Sequence, residues 1–283
     1  MNFSKTLWRL VVTMPASGAW NMAMDEAILE AAGRGDVLPT LRLYAWQPAC
    51  LSLGYAQPVS DVNLASLESN CWDLVRRPTG GRAILHADEL TYSVTGPPTE
   101  KRLSGSVLES YCVLSTALLE ALRLIDIPAE AKEKPLEKTY TTGAQQHNSA
   151  PNPVCFEVPS NYEITVDGKK LVGSAQARKK GGVLQHGSLP LFGDLTRVTQ
   201  ALVFKDQQTR EKAKSRLLQR ATTAERILNY APSWLAAASA FVKAFENSLN
   251  LEFLPDEITA LEYERAEELM REKYDNPEWT RRA

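Results

Sequence analysis

The amino-acid sequence predicts an α+β domain followed by a helical extension. Over the first 190 residues, short runs with a two-residue apolar period are interspersed with amphipathic helical stretches. From Leu195 onward, the apolar spacing is helical. Elements segregated in this way are typical of α+β folds, whereas a regular strand–helix–strand series would favour a parallel α/β sheet.

The composition is that of a globular cytoplasmic protein. The 283 residues are 44% hydrophobic and 23% charged, and the formal net charge is −2. This balance argues against nucleic acid as a partner. The four cysteines are scattered, with no pair at metal-ligand spacing, which favours reduced thiols and no metal site. There is no signal-peptide pattern and no apolar run near the ~20 residues that span a bilayer, so no membrane partner is expected.

The first predicted elements alternate between strands and helices. Residues 8–13 have the pattern of a strand, and the run MAMDEAILEAA after a capping Asn21 has one apolar helical face. Residues 41–46 and 50–53 alternate like two strands paired across Gln47-Pro48. A short helix is predicted over 61–69, strands over 72–76 and 89–95, and a turn over 78–81.

The middle of the chain contains a long helix, a polar segment and a hairpin. Residues 106–125 have apolar side chains at helical spacing, and segment 133–153 is typical either of a functional loop or of a plain connector. Asp167-Gly168 lies between alternating runs at 162–166 and 170–175, which is a strong hairpin signal. A strand over 183–191 is predicted to pair back across Gly181-Gly182, and helices follow at about 195–204, 207–218, 222–228, 232–249 and 256–273.

Cys155 is the first candidate for chemistry. A cysteine is more often a buried small hydrophobe than a nucleophile, and a nucleophilic cysteine needs help to ionise near neutral pH. A nearby ammonium group such as that of Lys170 would favour the thiolate. Lys169 and Lys170 point to opposite faces of a strand, and spacing alone neither selects one of them nor shows that Cys155 reaches it.

The turn RRPTGGR at 76–82 is the second candidate. Gly80 and Gly81 allow a close approach of the backbone to a ligand, but the turn lacks the Lys-Ser/Thr of a phosphate-binding loop. A tight turn with solvated arginines is the alternative. The three histidines, His86, His147 and His186, show neither metal spacing nor a catalytic triad and are more typical of hydrogen-bonded packing residues.

Several motifs together resemble the biotin/lipoate protein ligase and transferase superfamily, and within it the octanoyltransferases of the LipM type. The motifs are NMAMDE at 21–26, RRPTGGRAILHADELTYS at 76–93, CFEVPSNYE at 155–163, GKKLVGSAQ at 168–176, LQHGSLPL at 184–191 and EKYDNPEWT near the C-terminus. The resemblance implies a catalytic domain over residues 1–253, with a mixed or antiparallel sheet flanked by helices and a substrate tunnel. It also implies a helical tail over 254–283 that packs on this domain.

The resemblance implies an acyltransferase of lipoate biosynthesis. An octanoyl group passes from octanoyl-acyl carrier protein to an enzyme cysteine, and then to a lysine of a lipoyl-accepting protein such as the glycine-cleavage H protein. The matching catalytic residues are Cys155 and Lys170, and the lysine lowers the pKa of the cysteine. Thioester exchange is nearly neutral in free energy, so neither ATP nor another cofactor is needed.

The other predicted site residues bind substrate. Backbone N–H groups at 173–175 or at Gly187 are candidate oxyanion donors, and apolar side chains after Gly80-Gly81, with Val172 and Leu184, are candidates to line the tunnel. If Lys170 lies in the site, strand alternation places it on the same face as Val172, with Lys169 on the other. The predicted substrate-binding residues are Arg77, Thr79, Gly80, Gly81, Arg82, His86, Gly173, Ser174, Ala175, His186 and Gly187.

Two other enzymes and one non-enzyme are the alternatives. Lipoate ligases usually carry a third glycine where this chain has Arg82, which would crowd an adenylate and therefore disfavours ATP use. An amidotransferase that moves octanoyl groups between lipoyl domains is harder to exclude, because it too uses a cysteine on this fold. The presence of both Cys155 and Lys170 argues against a carrier-protein-binding module with a dead site.

Overall fold

Two β-sheets form the framework of the protein in a computed structural model that describes residues 3–133 and 162–282. The strands of this part are β1 (Thr6–Val12), β2 (Thr40–Tyr44), β3 (Cys50–Leu53), β4 (Asp73–Arg76), β5 (Ile84–His86), β6 (Glu89–Gly96), β7 (Glu130–Glu133), β8 (Tyr162–Val166), β9 (Lys169–Lys179), β10 (Gly182–Pro190) and β11 (Leu251–Pro255). The helices are α1 (Gly18–Arg34), α2 (Leu64–Ser69), α3 (Val107–Leu124), α4 (Gln207–Arg220), α5 (Ala224–Leu228), α6 (Trp234–Leu249), α7 (Ala260–Leu269) and α8 (Pro277–Arg281).

The larger sheet is mixed and has its strands in the order β11-β1-β2-β6-β10-β9-β8-β7 within the described residues. Strand β1 is parallel to β11 and to β2, and the other neighbours are antiparallel. The smaller sheet has the order β4-β3-β5. This mixed sheet with flanking helices confirms the predicted α+β class.

The two faces of the large sheet carry different layers. On one face, the apolar residues of β6 pack in the main core with Phe241 and Phe245 of α6 and with the apolar side of α3. On the other face lies α1, which contacts β6, β10, the small sheet and α7. Alternation along β6 therefore divides its residues between an apolar core and a second, more polar layer that will hold the candidate site.

Helix α1 begins one turn before its predicted start. The side chain of Ser17 caps the helix by accepting from the N–H of Trp20, and Gly35 ends it in a left-handed conformation with φ 82°. The prediction of Asn21 as the cap is wrong. Asn21 is buried inside the first turn, and its amide donates to the carbonyls of Ala16 and Ala45, which fixes the end of β2 against the helix.

The predicted pairing of the strands around Gln47-Pro48 is also wrong. Strand β2 lies between β1 and β6 in the large sheet, whereas β3 lies between β4 and β5 in the small sheet. The connection between them contains a cis Gln47-Pro48 peptide bond. Alternating apolar residues report a buried face of a strand but not the identity of its partner, so the sequence could not show that the chain changes sheets here.

The predicted hairpin around Asp167-Gly168 is confirmed. Strands β8 and β9 pair in antiparallel fashion, and both turn residues adopt positive φ angles of 49° and 75°. The helix predicted over 106–125 is confirmed as α3, which begins with a capping box formed by Ser106 and Glu109.

The C-terminal part is helical, as predicted, but strand β11 was missed. This strand extends the large sheet by pairing with β1, and the predicted domain boundary after residue 253 falls inside it. Helix α7 packs on α1, and buried Arg9 of β1 pairs with buried Glu262 of α7. The division into a domain and a tail stays a prediction. Of the helices in the described part, none is long and apolar enough to cross a membrane.

Candidate active site

A pocket opens between the α1 face of the large sheet and the small sheet. It encloses about 470 Å³ of empty space, its open mouth included. Its apolar lining includes Met22 of α1, Trp46 after β2 and Ile84 of β5. The predicted site residues that line it are Arg77, Gly80, Gly81, His86, Gly173, Ser174, Ala175, His186 and Gly187.

The other two predicted binding residues lie beside this pocket. The hydroxyl of Thr79 bonds to His186 Nε2 at 2.7 Å, so Thr79 contacts the pocket wall from behind. Arg82 lines a wider groove on the other side of the Gly80-Gly81 turn, together with Lys179 of β9. Residues that are up to 110 positions apart in the sequence are thus brought to one place by the two sheets, while their roles toward a substrate stay predictions.

A β-bulge decides which side chains of β9 face the pocket. Ile164 of β8 pairs with Val172, but the next residue, Thr165, pairs with Lys170, so Leu171 is an extra residue on β9. One extra residue shifts the side-chain alternation by one position. Lys170 therefore lies on the same face of β9 as Gly173, which lines the pocket, although Lys170 itself is not one of the lining residues.

The prediction that Lys170 shares a face with Val172 is consequently wrong. Val172 packs with Ile164 in the main core on the opposite face of the sheet, and Leu171 joins the same core. Val172 and Leu184, the two predicted tunnel residues, do not line the pocket. Ile84, one of the apolar residues after Gly80-Gly81, does line it. Lys170 is buried and Lys169 is only half-buried, which agrees with the expectation that Lys170 is the inward-facing lysine, while its catalytic role stays a prediction.

Lys170 is held in a polar environment. Its Nζ lies 3.6 Å from Oε1 of Glu163, and both side chains are less than 10% exposed. Its backbone carbonyl accepts from the N–H of Thr222, which ties β9 to the chain after α4. A buried ammonium with a carboxylate partner keeps its charge at lower cost than an isolated one, so Lys170 can act as a fixed cation on the pocket face. Glu163 was not singled out from the sequence.

Cys155, the predicted nucleophile, lies outside the described residues. Of the three described cysteines, none lines the pocket. Cys50 is buried under α1, where burial and the nearby carboxylates of Asp73 and Glu89 raise the pKa of its thiol well above the usual value. Cys71 is exposed and Cys112 is half-buried on α3. None of these three residues therefore places a thiol in the pocket.

Arg77 braces the turn that covers the pocket. Its guanidinium donates to the carbonyls of Gly80 and Arg82 at 2.9 and 2.7 Å, and to the carbonyl and hydroxyl of Ser52 at 2.9 and 3.0 Å. Arg77 and the preceding Arg76 are both buried, so the alternative of a turn with solvated arginines holds for neither. One planar guanidinium thus joins the turn to β3.

A second network joins His86 to the pocket wall. His86 stacks on Trp46 with 4.1 Å between ring centroids. Its Nδ1 is 2.6 Å from Glu89 Oε1, and its Nε2 is 2.7 Å from the hydroxyl of Ser52. Both ring nitrogens are therefore engaged by protein groups, and His86 presents a ring face rather than a free nitrogen to the pocket.

A third network surrounds the buried carboxylate of Asp25. This carboxylate accepts from Arg42 at 2.8 Å, from the hydroxyls of Tyr44 and Ser93 at 2.9 and 2.8 Å, and lies 3.4 Å from His186 Nδ1. Burial alone would raise the pKa of Asp25, but the hydrogen bond from His186 and the charge of Arg42 lower it overall. Burial lowers the pKa of His186, so its ring is neutral near pH 7, with Nε2 accepting from Thr79.

Gly187 is required by close strand packing. A Cβ at this position would lie 2.5 Å from the Ser174 hydroxyl and 2.8 Å from the ring of Tyr92. The Ser174 hydroxyl bonds to the hydroxyl of Tyr92 at 2.8 Å, and burial raises the pKa of that phenol to about 12. Ser174 therefore shows its backbone, not its hydroxyl, to the pocket, which is compatible with the predicted oxyanion role of its N–H.

The groove beside Arg82 is positively charged. Burial and the nearby cations Lys273, Lys180 and Arg282 lower the pKa of Lys179 to about 8, against the opposing effect of Glu26. In the part of the chain that the structure describes, no cluster of His, Cys, Asp and Glu side chains could hold a metal ion.

Sequence reasoning missed the residues that hold the site from behind. Asp25, Ser52, Glu89, Glu163 and Ser188 were not singled out, although the first lies in the NMAMDE motif and the last in LQHGSLPL. Their signal was present only as polar residues inside apolar runs. Asp25 and Ser52, for example, bond to Arg42 and Arg77 from other elements, and a single sequence does not identify such partners.

Comparison with known proteins gives one family. The profile of the lipoyl protein ligase A/B catalytic domain matches residues 17–246. The octanoyltransferase LipM of Brevibacillus brevis is 38% identical over 276 residues, covering 97% of this chain and 99% of that protein. The octanoyltransferase LipM of Kyrpidia tusciae is 40% identical over 276 residues, covering 97% and 98%.

Two solved structures of similar architecture are lipoate ligases. A bipartite lipoate protein ligase of Thermoplasma acidophilum superposes with a TM-score of 0.78 at 25% identity, covering 98% of this chain and 96% of that chain. A lipoate-protein ligase A bound with ATP gives a TM-score of 0.74 at 25% identity, covering 98% and 99%. The similarity in both cases extends beyond residue 246, to the C-terminal helices.

Proposed function

Because the chain belongs to the lipoyl protein ligase A/B catalytic domain family, and within it to the octanoyltransferases of the LipM type, we propose that it is an acyltransferase that moves an octanoyl group in lipoate biosynthesis. The structural observation that carries the proposal is an apolar pocket lined by Gly173 of β9, with buried Lys170 three residues away on the same face of that strand. An acyl chain and a reactive carbonyl need these two environments side by side.

The first proposed step is thioester exchange. The thiolate of Cys155 attacks the carbonyl carbon of an octanoyl thioester, a carbon–sulfur bond to the enzyme forms, and the bond to the donor sulfur breaks. The donor leaves as a thiolate that takes up a proton. One thioester replaces another, so the step requires no ATP.

The second step forms the product amide. The ε-amine of a lysine on the acceptor attacks the enzyme thioester, a carbon–nitrogen bond forms, and Cys155 leaves as the thiolate. The attacking nitrogen loses one proton. Covalent catalysis of this kind divides the transfer into two easier steps and predicts ping-pong kinetics.

In this proposal Lys170 acts as a fixed positive charge. It favours the thiolate of Cys155 before attack and stabilises the negative charge that develops on the carbonyl oxygen during attack. Its burial supports the role, because a charge interaction is stronger where water is excluded. Cys155 is proposed as the nucleophile because it stands in the CFEVPSNYE motif, at the position that matches the cysteine of the family.

The pocket supports an acyl chain of moderate length. Burial of a methylene group is worth ~0.8 kcal/mol, so the seven carbons beyond an octanoyl carbonyl supply about 5 kcal/mol of binding. Met22, Trp46 and Ile84 provide apolar surface for this contact.

An ATP-dependent lipoate ligase is the second candidate, because the similar solved structures are ligases. Two observations favour the transferase. The LipM relatives are 38–40% identical over nearly the whole chain, against 25% for the ligases. Arg82 also occupies the position at which ligases usually have a third glycine.

The proposed acceptor is a lipoyl-accepting protein such as the glycine-cleavage H protein, and the proposed donor is octanoyl-acyl carrier protein. We also propose a cytoplasmic location, because both proteins and the reduced active-site thiol belong to that compartment. The residues from 254 onward are proposed to form a tail on the catalytic domain, since α7 packs on α1.

Intact-protein mass spectrometry tests the function. The enzyme is mixed separately with octanoyl-acyl carrier protein, with an octanoylated H protein, and with octanoate plus ATP. A gain of one octanoyl group from the carrier protein is expected, lost in Cys155→Ala and kept in the control Cys112→Ala. Octanoylation of an added lipoyl-accepting domain only from octanoate plus ATP, with no adduct on the enzyme, would identify a ligase, because an acyl adenylate is not bonded to the enzyme. An adduct only from the octanoylated protein would identify an amidotransferase, and neither adduct nor transfer from any donor a binding module.

A further inference from the structure

One hydroxyl in the pocket wall has no hydrogen-bond partner. Ser188 of β10 is 1% exposed, lines the pocket, and its Oγ is buried without a partner. Buried polar groups in folded proteins are nearly always paired, and an unpaired one in a ligand pocket points to a partner that arrives with the ligand. The part of the protein that the structure describes contains other orphan hydroxyls, but none of them lines this pocket.

The neighbours of Ser188 explain why its hydroxyl is left over. In the sheet, Ser188 lies between Thr91 of β6 and Gly173 of β9. The hydroxyl of Thr91 is fully used, since it donates to Glu89 at 2.6 Å and accepts from the indole of Trp46 at 2.8 Å. Gly173 has no side chain. The glycine therefore supplies no partner, and it also leaves room beside Ser188 on the pocket face.

Ser188 also has the right position relative to Lys170. Both residues lie on the pocket face, and Gly173, the register partner of Ser188, is three residues from Lys170 on β9. At 3.3 Å per residue this separation is about 10 Å along the strand, less the shortening caused by the bulge. The extended side chain of Lys170 can bridge part of this separation. Because β9 and β10 are neighbouring strands, the two residues lie on one face of the sheet and are separated across it by about 4.8 Å, one interstrand spacing.

Ser188 is not a nucleophile in this arrangement. A reactive serine needs a base within hydrogen-bond distance to remove its proton, and the Oγ of Ser188 has no such neighbour. The two histidines of the pocket are not available as bases. The ring nitrogens of His86 bond to Ser52 and Glu89, and those of His186 bond to Thr79 and Asp25. What Ser188 offers is one O–H donor in a place that is closed to solvent.

We propose that Ser188 is a further catalytic residue whose hydroxyl donates a hydrogen bond to the carbonyl oxygen of the acyl thioester. The inference deepens the proposed acyl transfer and names the chemistry of its substrate group: a thioester carbonyl, which accepts but cannot donate. As the sulfur attacks, that oxygen gains negative charge and the hydrogen bond strengthens, so Ser188 assists Lys170 in stabilising the transition state.

The test compares Ser188→Ala with a matched control. Thr95 of β6 also has a buried hydroxyl without a partner, but it does not line the pocket. Ser188→Ala and Thr95→Val each remove an orphan hydroxyl, so neither should lower the midpoint of urea unfolding. We expect single-turnover acyl transfer from octanoyl-carrier protein to fall about 100-fold in Ser188→Ala, the usual effect of losing one oxyanion donor, and to stay unchanged in Thr95→Val.

Infrared spectroscopy of the acyl-enzyme gives a readout that a structural role would not move. With a ¹³C-labelled octanoyl carbonyl, the C=O band should lie at lower wavenumber in the wild type than in Ser188→Ala, and Ser188→Thr should restore both band and rate. An equal band and an equal rate in wild type and Ser188→Ala would overturn the inference, and so would an equal loss in Thr95→Val. If the wild type forms no acyl-enzyme at all, the proposed function itself fails and the inference falls with it.

Discussion

Lys170 Nζ lies 3.6 Å from Glu163 Oε1, with both side chains buried on the face of the sheet that forms the pocket. The two residues come from adjacent strands of one hairpin, and the bulge at Leu171 sets their common orientation. The proposed thiolate of Cys155 would therefore sense a cation and an anion together, and the balance between them should tune its reactivity.

Substitution of Lys170 and of Glu163 should shift the pH profile of Cys155 alkylation in opposite directions. In Lys170→Met the positive charge is lost, so the pH profile of Cys155 alkylation by iodoacetamide should move to higher pH. In Glu163→Gln the negative charge is lost, so the profile should move to lower pH. Lys169→Met, which changes the half-buried neighbour, is the control and should leave the profile in place. Equal profiles in all four proteins would remove Lys170 from the activation of the thiol.

Arg77→Lys should weaken the turn over the pocket. The guanidinium of Arg77 reaches the carbonyls of Ser52, Gly80 and Arg82, and a lysine ammonium cannot span all three. Loss of about two charge-assisted hydrogen bonds should lower the free energy of unfolding by about 3–6 kcal/mol. The KM for the octanoyl donor should rise as well, because Gly80 and Gly81 line the pocket. Urea unfolding and steady-state kinetics measure the two effects.

The comparison for this variant is Arg271→Lys, at an exposed position after α7. It should change neither the unfolding midpoint nor the KM. A stable Arg77→Lys protein with the KM of the wild type would contradict the bracing role.

Acid should destabilise the protein through His186. Burial holds the pKa of His186 below its usual value of about 6.5. Between the folded-state pKa and 6.5, the unfolded chain binds a proton at this residue and the folded chain does not. Stability should therefore fall as the pH drops below about 6.5, by at most about 1.4 kcal/mol per pH unit from this group.

Urea unfolding from pH 7.5 to 5 measures this dependence in the wild type and in His186→Gln. The variant should lose the part of the slope that begins near pH 6.5, whatever its stability at pH 7.5. A wild-type curve as flat as that of the variant would show that His186 titrates alike in the folded and unfolded chains.

The C-terminal helix should help to hold the pocket turn. Arg76, the residue before Arg77, donates to the carbonyl of Thr280 in α8 at 3.0 and 2.7 Å, and Trp279 Nε1 donates to the carbonyl of Arg76 at 2.9 Å. Trp279 also packs against Tyr274 and Arg282. Trp279→Ala should therefore lower the free energy of unfolding by about 2–3 kcal/mol, less than for a fully buried tryptophan, and raise the KM.

Trp279→Phe separates packing from hydrogen bonding in this region. Trp279→Phe keeps the aromatic contacts but removes the N–H, so its free energy of unfolding should be about 1 kcal/mol lower than that of the wild type. If Trp279→Ala is less stable but keeps the wild-type KM, the helix stabilises the fold without positioning the turn.

Single helices and hairpins could be predicted because the residues that define them are close together in the sequence. The Asp167-Gly168 hairpin needs only two residues that tolerate positive φ between alternating strands, and α3 needs only its apolar face and its Ser106 cap. The residues that line the pocket came from motifs that resemble a known family, and most of them are brought together as expected. Periodicity alone selected none of them.

What the sequence by itself determined is the α+β class, the positions of most strands and helices, and the family to which the site residues belong. Only the tertiary structure decided which side chains meet. Pairing across the sheets is nonlocal, so it separated β2 from β3 and joined Asp25 to His186 across 161 positions. One extra residue at Leu171 rotated Lys170 away from Val172 and onto the pocket face, because the register of a strand is set by its partner and not by its own pattern.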